Sequence, residues 1–177
     1  MKLYYFDIFG RAEPIRILLT HSKSEWQDVR FDYKTFSELK AQDLFEFDQV
    51  PMLEMDGEKF SQSYSILRLL GRKYGYYPED SIQAYKVDSV LQAGADLQAS
   101  YWAAHLATEE VKKQELLKTY IEVNLSRYLK VMQSRLLKNS NQKYLVNDTL
   151  TIADFDSAHI AKDYILNESF ACYKEQK

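Results

Sequence analysis

The opening of the chain changes its hydrophobic period within a few residues. LYYFDI, residues 3–8, is a dense run of aromatic and branched side chains and predicts a strand. Gly10 breaks the run. AEPIRILLTH, 12–21, then places Ile15, Leu18 and Leu19 at helical spacing, with Pro14 in the first turn, where a missing N–H does no harm. WQDVRFDY, 26–33, alternates in part and predicts a second strand, and TFSELKAQDLFEF, 35–47, predicts a short helix running into a loop. MLEMDGEKF, 52–60, reads as a hairpin whose Asp56-Gly57 turn matches strand twist, and SYSILRLLGRKYG, 63–75, as an amphipathic helix. A parallel β-α-β start followed by an antiparallel hairpin implies a mixed four-stranded sheet flanked by helices.

The pattern changes at GYYPEDSI, 75–82, where Gly75, Pro78 and the pair Glu79-Asp80 mark a linker. Beyond it nothing reads as strand. Residues 82–107 and 109–137 carry long helical periodicity, 139–149 is polar and loop-like, and 151–166 opens with Thr151 and Asp154 at capping-box spacing, with Asp in place of the usual Glu. The predicted organisation is a small α/β domain over 1–74, a linker over 75–82 and an all-helical domain over 83–177, without internal repeats or low-complexity segments.

Composition narrows the function classes. The 177 residues are 46% hydrophobic and 28% charged, an ordinary globular profile with enough chain for a core. The net charge of −3, with Lys and Arg scattered, argues against nucleic acid as a partner, because phosphate binding needs a basic face. No apolar run is long enough to span a bilayer, and Asp7 and Gly10 fall where a signal peptide would be apolar. The one cysteine, Cys172, excludes an internal disulfide framework, so a reducing compartment, most simply the cytoplasm, is expected. His21, His105 and His159 have no metal-ligand spacing, and no metal is expected.

Four positions are candidates for chemistry. Tyr5 lies late in the first strand; its hydroxyl can donate to a thiolate and lower a thiol's pKa, or it can simply pack. Arg11, after Gly10, can orient an anion or sit solvated. Val50-Pro51 precedes a strand. X-Pro is the one bond type for which the cis form is low in energy, and a cis bond would turn Val50's backbone groups outward toward a peptide-like ligand, whereas a trans Pro at a strand start is the commoner case. Gln62 and Ser63 stand where a helix begins. Its unpaired N–H groups favour a carboxylate, or Ser63 serves only as its cap.

Taken in order, YYFDIFGRAEPIRILL, DQVPMLEMDG and QSYSILRLL resemble the N-terminal half of a cytosolic glutathione transferase, and YLVNDTLTIADF is similar to that family's loop and capping-box helix. The likeness is greatest to the sigma-like branch, which includes glutathione-dependent prostaglandin D synthases. It runs from residue 2 to about residue 160. The resemblance implies a thioredoxin-like N-terminal domain, an all-helical C-terminal domain, glutathione as co-substrate and a homodimer. It implies that Tyr5 donates to the glutathione sulfur with support from Arg11, and that Val50, before the family's cis-proline (Pro51), pairs with the cysteinyl backbone. It further implies that Gln62 and Ser63 hold the γ-glutamyl carboxylate, that Lys40 and Phe36 lie toward the glycyl end, that Gln49 is a further glutathione-binding position, Lys or Gln in relatives, and that Asp96 reaches the partner subunit's glutathione. Tyr101 and Trp102 would border the second substrate, a small electrophile held between the domains; core packing is the alternative for both.

The sequence also departs from the family. Phe36 stands where a tryptophan is common, Asp48 where relatives have Gly, and the chain ends at NESFACYKEQK, before the family's last helices would be expected. Two other functions therefore stand beside conjugation: a transferase-like structural subunit without catalysis, and a glutathione-dependent prostaglandin isomerase.

Overall fold

A computed structural model describes residues 1–166; the tail from 167 onward, with Cys172, lies outside the described residues. The chain divides into two compact units, Met1–Tyr77 and Pro78–Lys177.

The first unit is built on β1 (Lys2–Phe6), β2 (Gln27–Phe31), β3 (Met52–Met55) and β4 (Glu58–Ser61), in the order β2-β1-β3-β4. β1 runs parallel to β2, with Tyr5 opposite Arg30, and antiparallel to β3, with Tyr4 opposite Met52; β3 and β4 form the antiparallel hairpin. The parallel pair needs a crossover, which α1 (Glu13–His21) supplies after a 3₁₀ turn at Gly10–Ala12. Alternation along β1 sends Leu3 and Tyr5 into the buried layer that also holds Ile15, Leu18 and Leu19 of α1 and Ile66, Leu67 and Leu70 of α3 (Ser63–Tyr74). Tyr4 and Phe6 pack on the other side with Phe31, Phe45 and Met52, under Phe36 and Leu39 of α2 (Tyr33–Lys40).

α2 is shorter and earlier than the sequence pattern suggests. Asp32 caps it, accepting from the Thr35 N–H at 2.8 Å, a bond that lowers the carboxyl's pKa. After Lys40 the backbone takes positive φ at Asp43 (52°) and Asp48 (53°), which ends the helix and turns Phe45 into the core. The apolar residues of 41–47 therefore follow a loop's burial, not a helix's.

The second unit is helical: α4 (Ser81–His105), α5 (Glu110–Thr119), α6 (Ser126–Lys138) and α7 (Ile152–Ile160). α4 buries Val87, Val90, Leu91, Gly94, Leu97, Tyr101 and Ala104, a continuous stripe at three- and four-residue steps. The single helix expected over 109–137 is interrupted by a π-helical turn at Tyr120–Leu125. Tyr120 and Leu125, five residues apart, are both 1% exposed, and only i to i+5 winding puts that pair on one buried face. A second π turn, Ala161–Ile165, ends α7. The capping box forms with its shorter acid: Asp154 Oδ2 accepts from the Thr151 N–H (2.8 Å) and Oδ1 from the Leu145 N–H (2.8 Å), tying the preceding loop to the helix start. Among the described residues no helix is long and apolar enough to cross a membrane.

Candidate active site

Tyr5 lies next to the strand end, and its ring is buried (7% exposed). Its hydroxyl oxygen accepts a hydrogen bond from the backbone N–H of Arg11 at 3.1 Å. Gly10 makes that approach feasible. It has φ +48°, and a Cβ built on it would lie 2.7 Å from the Tyr5 Oη, so both conformation and space demand glycine. Burial pushes the Tyr5 hydroxyl above its usual range, while the Arg11 N–H and the nearby charges of Arg11 and Arg16 pull the other way. Burial wins, so the phenol keeps its proton at neutral pH. With one lone pair engaged by Arg11, the O–H remains a donor.

Arg11, Gln49, Val50, Pro51, Ser61, Gln62 and Ser63 line one concavity. Six of these seven were candidates from the sequence; Ser61, the last residue of β4, was not. Val50-Pro51 is cis, against the trans form that residue spacing alone favours. The cap position of α3 belongs to Gln62, with Ser63 the first helical residue and no side-chain cap bond to the helix start, so the reading of Ser63 as a plain cap does not hold. Gln62 has φ 71° and ψ 109°, a sparsely populated conformation for a residue with a side chain, costing on the order of 1–3 kcal/mol. The cap residue's side chain makes no bond to the first N–H groups of α3, and Gln62 and Ser63 both line the concavity.

Other candidates are placed differently. Phe36 packs its ring against Phe6 (5.2 Å), Phe45 (5.5 Å) and Phe31 (6.2 Å), within the core cluster under α2. Lys40 is exposed and pairs with Asp48 at 3.3 Å, so the residue that departs from the family pattern holds the lysine's ammonium. In the second unit, Asp96 accepts from Gln92 Nε2 at 3.3 Å and borders a groove of about 420 Å³ with Asn124, Arg127, Tyr128 and Val131. Tyr101 is 2% exposed, among Tyr120, Tyr164 and His105, whereas Trp102 is 36% exposed and donates from Nε1 to the Tyr164 hydroxyl at 3.3 Å. The three histidines stand apart: His21 hydrogen-bonds Tyr76 (2.8 Å), His105 hydrogen-bonds Tyr101 (3.4 Å), and His159 Nδ1 lies 3.0 Å from Asp163 Oδ2 without hydrogen-bond geometry. Among the described residues no three acidic, His or Cys side chains gather as a metal site.

Sequence reasoning missed Arg16 as well as Ser61. Arg16 is 5% exposed on α1, where a charge at a core-facing position was the available signal.

The comparisons agree with this geometry. The family signature described as the glutathione S-transferase N-terminal domain matches residues 1–72, and that of the C-terminal domain matches 95–175. Glutathione S-transferase 3 of Caenorhabditis elegans is 34% identical over 156 residues, covering 86% of this chain and 74% of the relative. The structure of prostaglandin synthase D of Nilaparvata lugens superposes with a TM-score of 0.83 at 26% identity, over 93% of this chain and 80% of that one. Monomeric Na-GST-3, a glutathione S-transferase of the hookworm Necator americanus, gives 0.78 at 27% identity, over 98% and 87%. The chain belongs to the glutathione S-transferase family. It has that family's fold and is a glutathione transferase enzyme, with glutathione as co-substrate.

Proposed function

We propose that this enzyme holds the thiol of bound glutathione as a thiolate through the Tyr5 hydroxyl and directs it at a small electrophile. The observation that carries the reading is the Arg11 N–H on the Tyr5 Oη at 3.1 Å, which fixes the phenol and leaves its proton to be given. A hydrogen bond donated to sulfur favours the anion. The thiol proton leaves to solvent, the sulfur lone pair forms the new C–S bond, and the electrophile's leaving group departs with the electrons of the bond that breaks. Lowering a thiol from about 8.5 to about 7 raises its thiolate fraction at pH 7 by roughly 15-fold.

The concavity that Arg11, Gln49, Val50, Gln62 and Ser63 line offers groups suited to the tripeptide. The open N-terminus of α3, with Gln62 and Ser63, favours the γ-glutamyl carboxylate. Val50, before the cis Pro51, offers backbone groups to the cysteinyl unit. Lys40 serves the glycyl end and Gln49 also contacts the tripeptide, Asp96 acts on the glutathione of a second subunit in a homodimer, and Trp102 borders the electrophile; Tyr101, buried among Tyr120, Tyr164 and His105, and Phe36, packed on Phe6, Phe31 and Phe45, take the packing role instead. Conjugation of this kind belongs to detoxification in the cytoplasm. The domain boundaries that go with it are 1–74 and 83–177, joined by a linker.

The test is Tyr5→Phe. Retention on immobilised glutathione is kept, while conjugation of an aryl halide at pH 7 falls at least about tenfold. Equal rates in variant and parent remove Tyr5 from the mechanism.

A further inference from the structure

The Arg16 guanidinium does more than balance charge. Its Nε donates to Asp28 Oδ1 (3.2 Å) and Oδ2 (3.1 Å), and Nη1 donates to Glu13 Oε2 (3.2 Å). Those two carboxylates would satisfy the charge of a buried arginine. Yet Nη1 also donates to the carbonyls of Ile8 (2.9 Å) and Phe9 (3.1 Å), and Nη2 lies 3.5 Å from that of Phe6. Three carbonyls of one turn thus converge on one fork of N–H groups. A second arginine pins the outside of the same turn: Arg30 Nη1 donates to Asp7 (2.8 Å) and its Nε to Asp28 (2.7 Å). The turn leads straight into Gly10 and the Arg11 N–H that meets Tyr5. The Arg16 Cζ stands 5.7 Å from the centre of the Tyr5 ring.

We propose that Arg16 is a positioning residue for the Tyr5 hydroxyl: by gathering the Phe6, Ile8 and Phe9 carbonyls it sets the path of the chain through Gly10, and so the direction in which the phenolic proton is offered to sulfur. This rests on the reading that Tyr5 donates to the glutathione thiol. Only arginine has the donor count and spread for the role. A lysine keeps the charge beside Asp28 and Glu13, but its compact ammonium has three donors and cannot span two carboxylates and three carbonyls.

The test is Arg16→Lys, with the thiol of bound glutathione titrated by its thiolate absorbance and kcat/KM followed against pH. The variant still binds glutathione, its bound thiol titrates about one unit higher, and kcat/KM at pH 7 falls about fivefold. In a Tyr5→Phe background the same substitution adds less than twofold, because its effect runs through that hydroxyl. A folded Arg16→Lys with the parent's thiol titration, or the full, about fivefold loss added to Tyr5→Phe, overturns the proposal. If Arg16→Lys does not fold, Asp28→Asn keeps the arginine and loosens its Nε bonds; the proposal then requires a rise in the thiol titration worth about threefold in kcat/KM. No rise, or failure of both variants to fold, makes Arg16 a folding residue and ends the proposal. A parent enzyme with no thiolate at neutral pH refutes the Tyr5 reading instead, so the two failures are distinct.

Discussion

Asp48 and Lys40 show how one side chain engages another that the proposed site needs. Asp48 has φ 53°, a conformation Asn also tolerates, and its carboxylate lies 3.3 Å from the Lys40 ammonium. Both side chains are exposed, so the pair contributes little stability, typically under about 1 kcal/mol. In the proposed site, where Lys40 meets the glycyl carboxylate of glutathione, the Asp48 carboxylate competes for the same ammonium and adds like charge beside it. Asp48→Asn is therefore expected to lower KM for glutathione by about two- to fivefold with kcat unchanged, an effect that steady-state kinetics resolves and that shrinks with added salt. Other candidate residues were legible at this scale because their types are rare in combination: a strand-end tyrosine, Gly-Arg, Val-Pro and Gln-Ser. The Lys40–Asp48 pair was not, because contact between residues eight apart depends on where the loop after α2 turns.

Helix ends and helix interruptions carry the next level. The start of α3 is open because Gln62, not a serine, occupies its cap. In the second unit, Tyr128 of α6 hydrogen-bonds Ser157 of α7 at 3.2 Å. Burial is the main cause that pushes its hydroxyl up to about 12, with the Asp156 charge adding to it and the Ser157 bond opposing. The unfolded chain ionises this tyrosine near pH 10, so the folded form holds a proton that the unfolded form has lost between pH 10 and about 12. The associated stability, on the order of 2–3 kcal/mol, is fully present below pH 10 and is lost as pH rises through that window. Chemical denaturation across pH 9–12 is expected to show the decline, and Tyr128→Phe to flatten it. Helical periodicity alone located this region but could not foresee the π turn at Tyr120–Leu125, because a 3.6-residue reading averages over a single wider turn.

At the scale of the molecule, the proposed homodimer makes a direct prediction: sedimentation equilibrium gives twice the 20.9 kDa of one chain, and Asp96→Ala raises KM for glutathione only if the subunits are associated. A monomer that conjugates at full rate removes Asp96 from the site. The sequence by itself determined the order of elements, the division into an α/β and a helical part, and the candidates at each turn. These are properties of period, glycine and proline, which act over a few residues. Tertiary structure alone decided which candidates share a concavity, that Asp48 takes Lys40, and that Arg16 gathers three carbonyls behind Tyr5. Each of those depends on distances between segments far apart in the chain, and such distances are set by packing, not by local pattern.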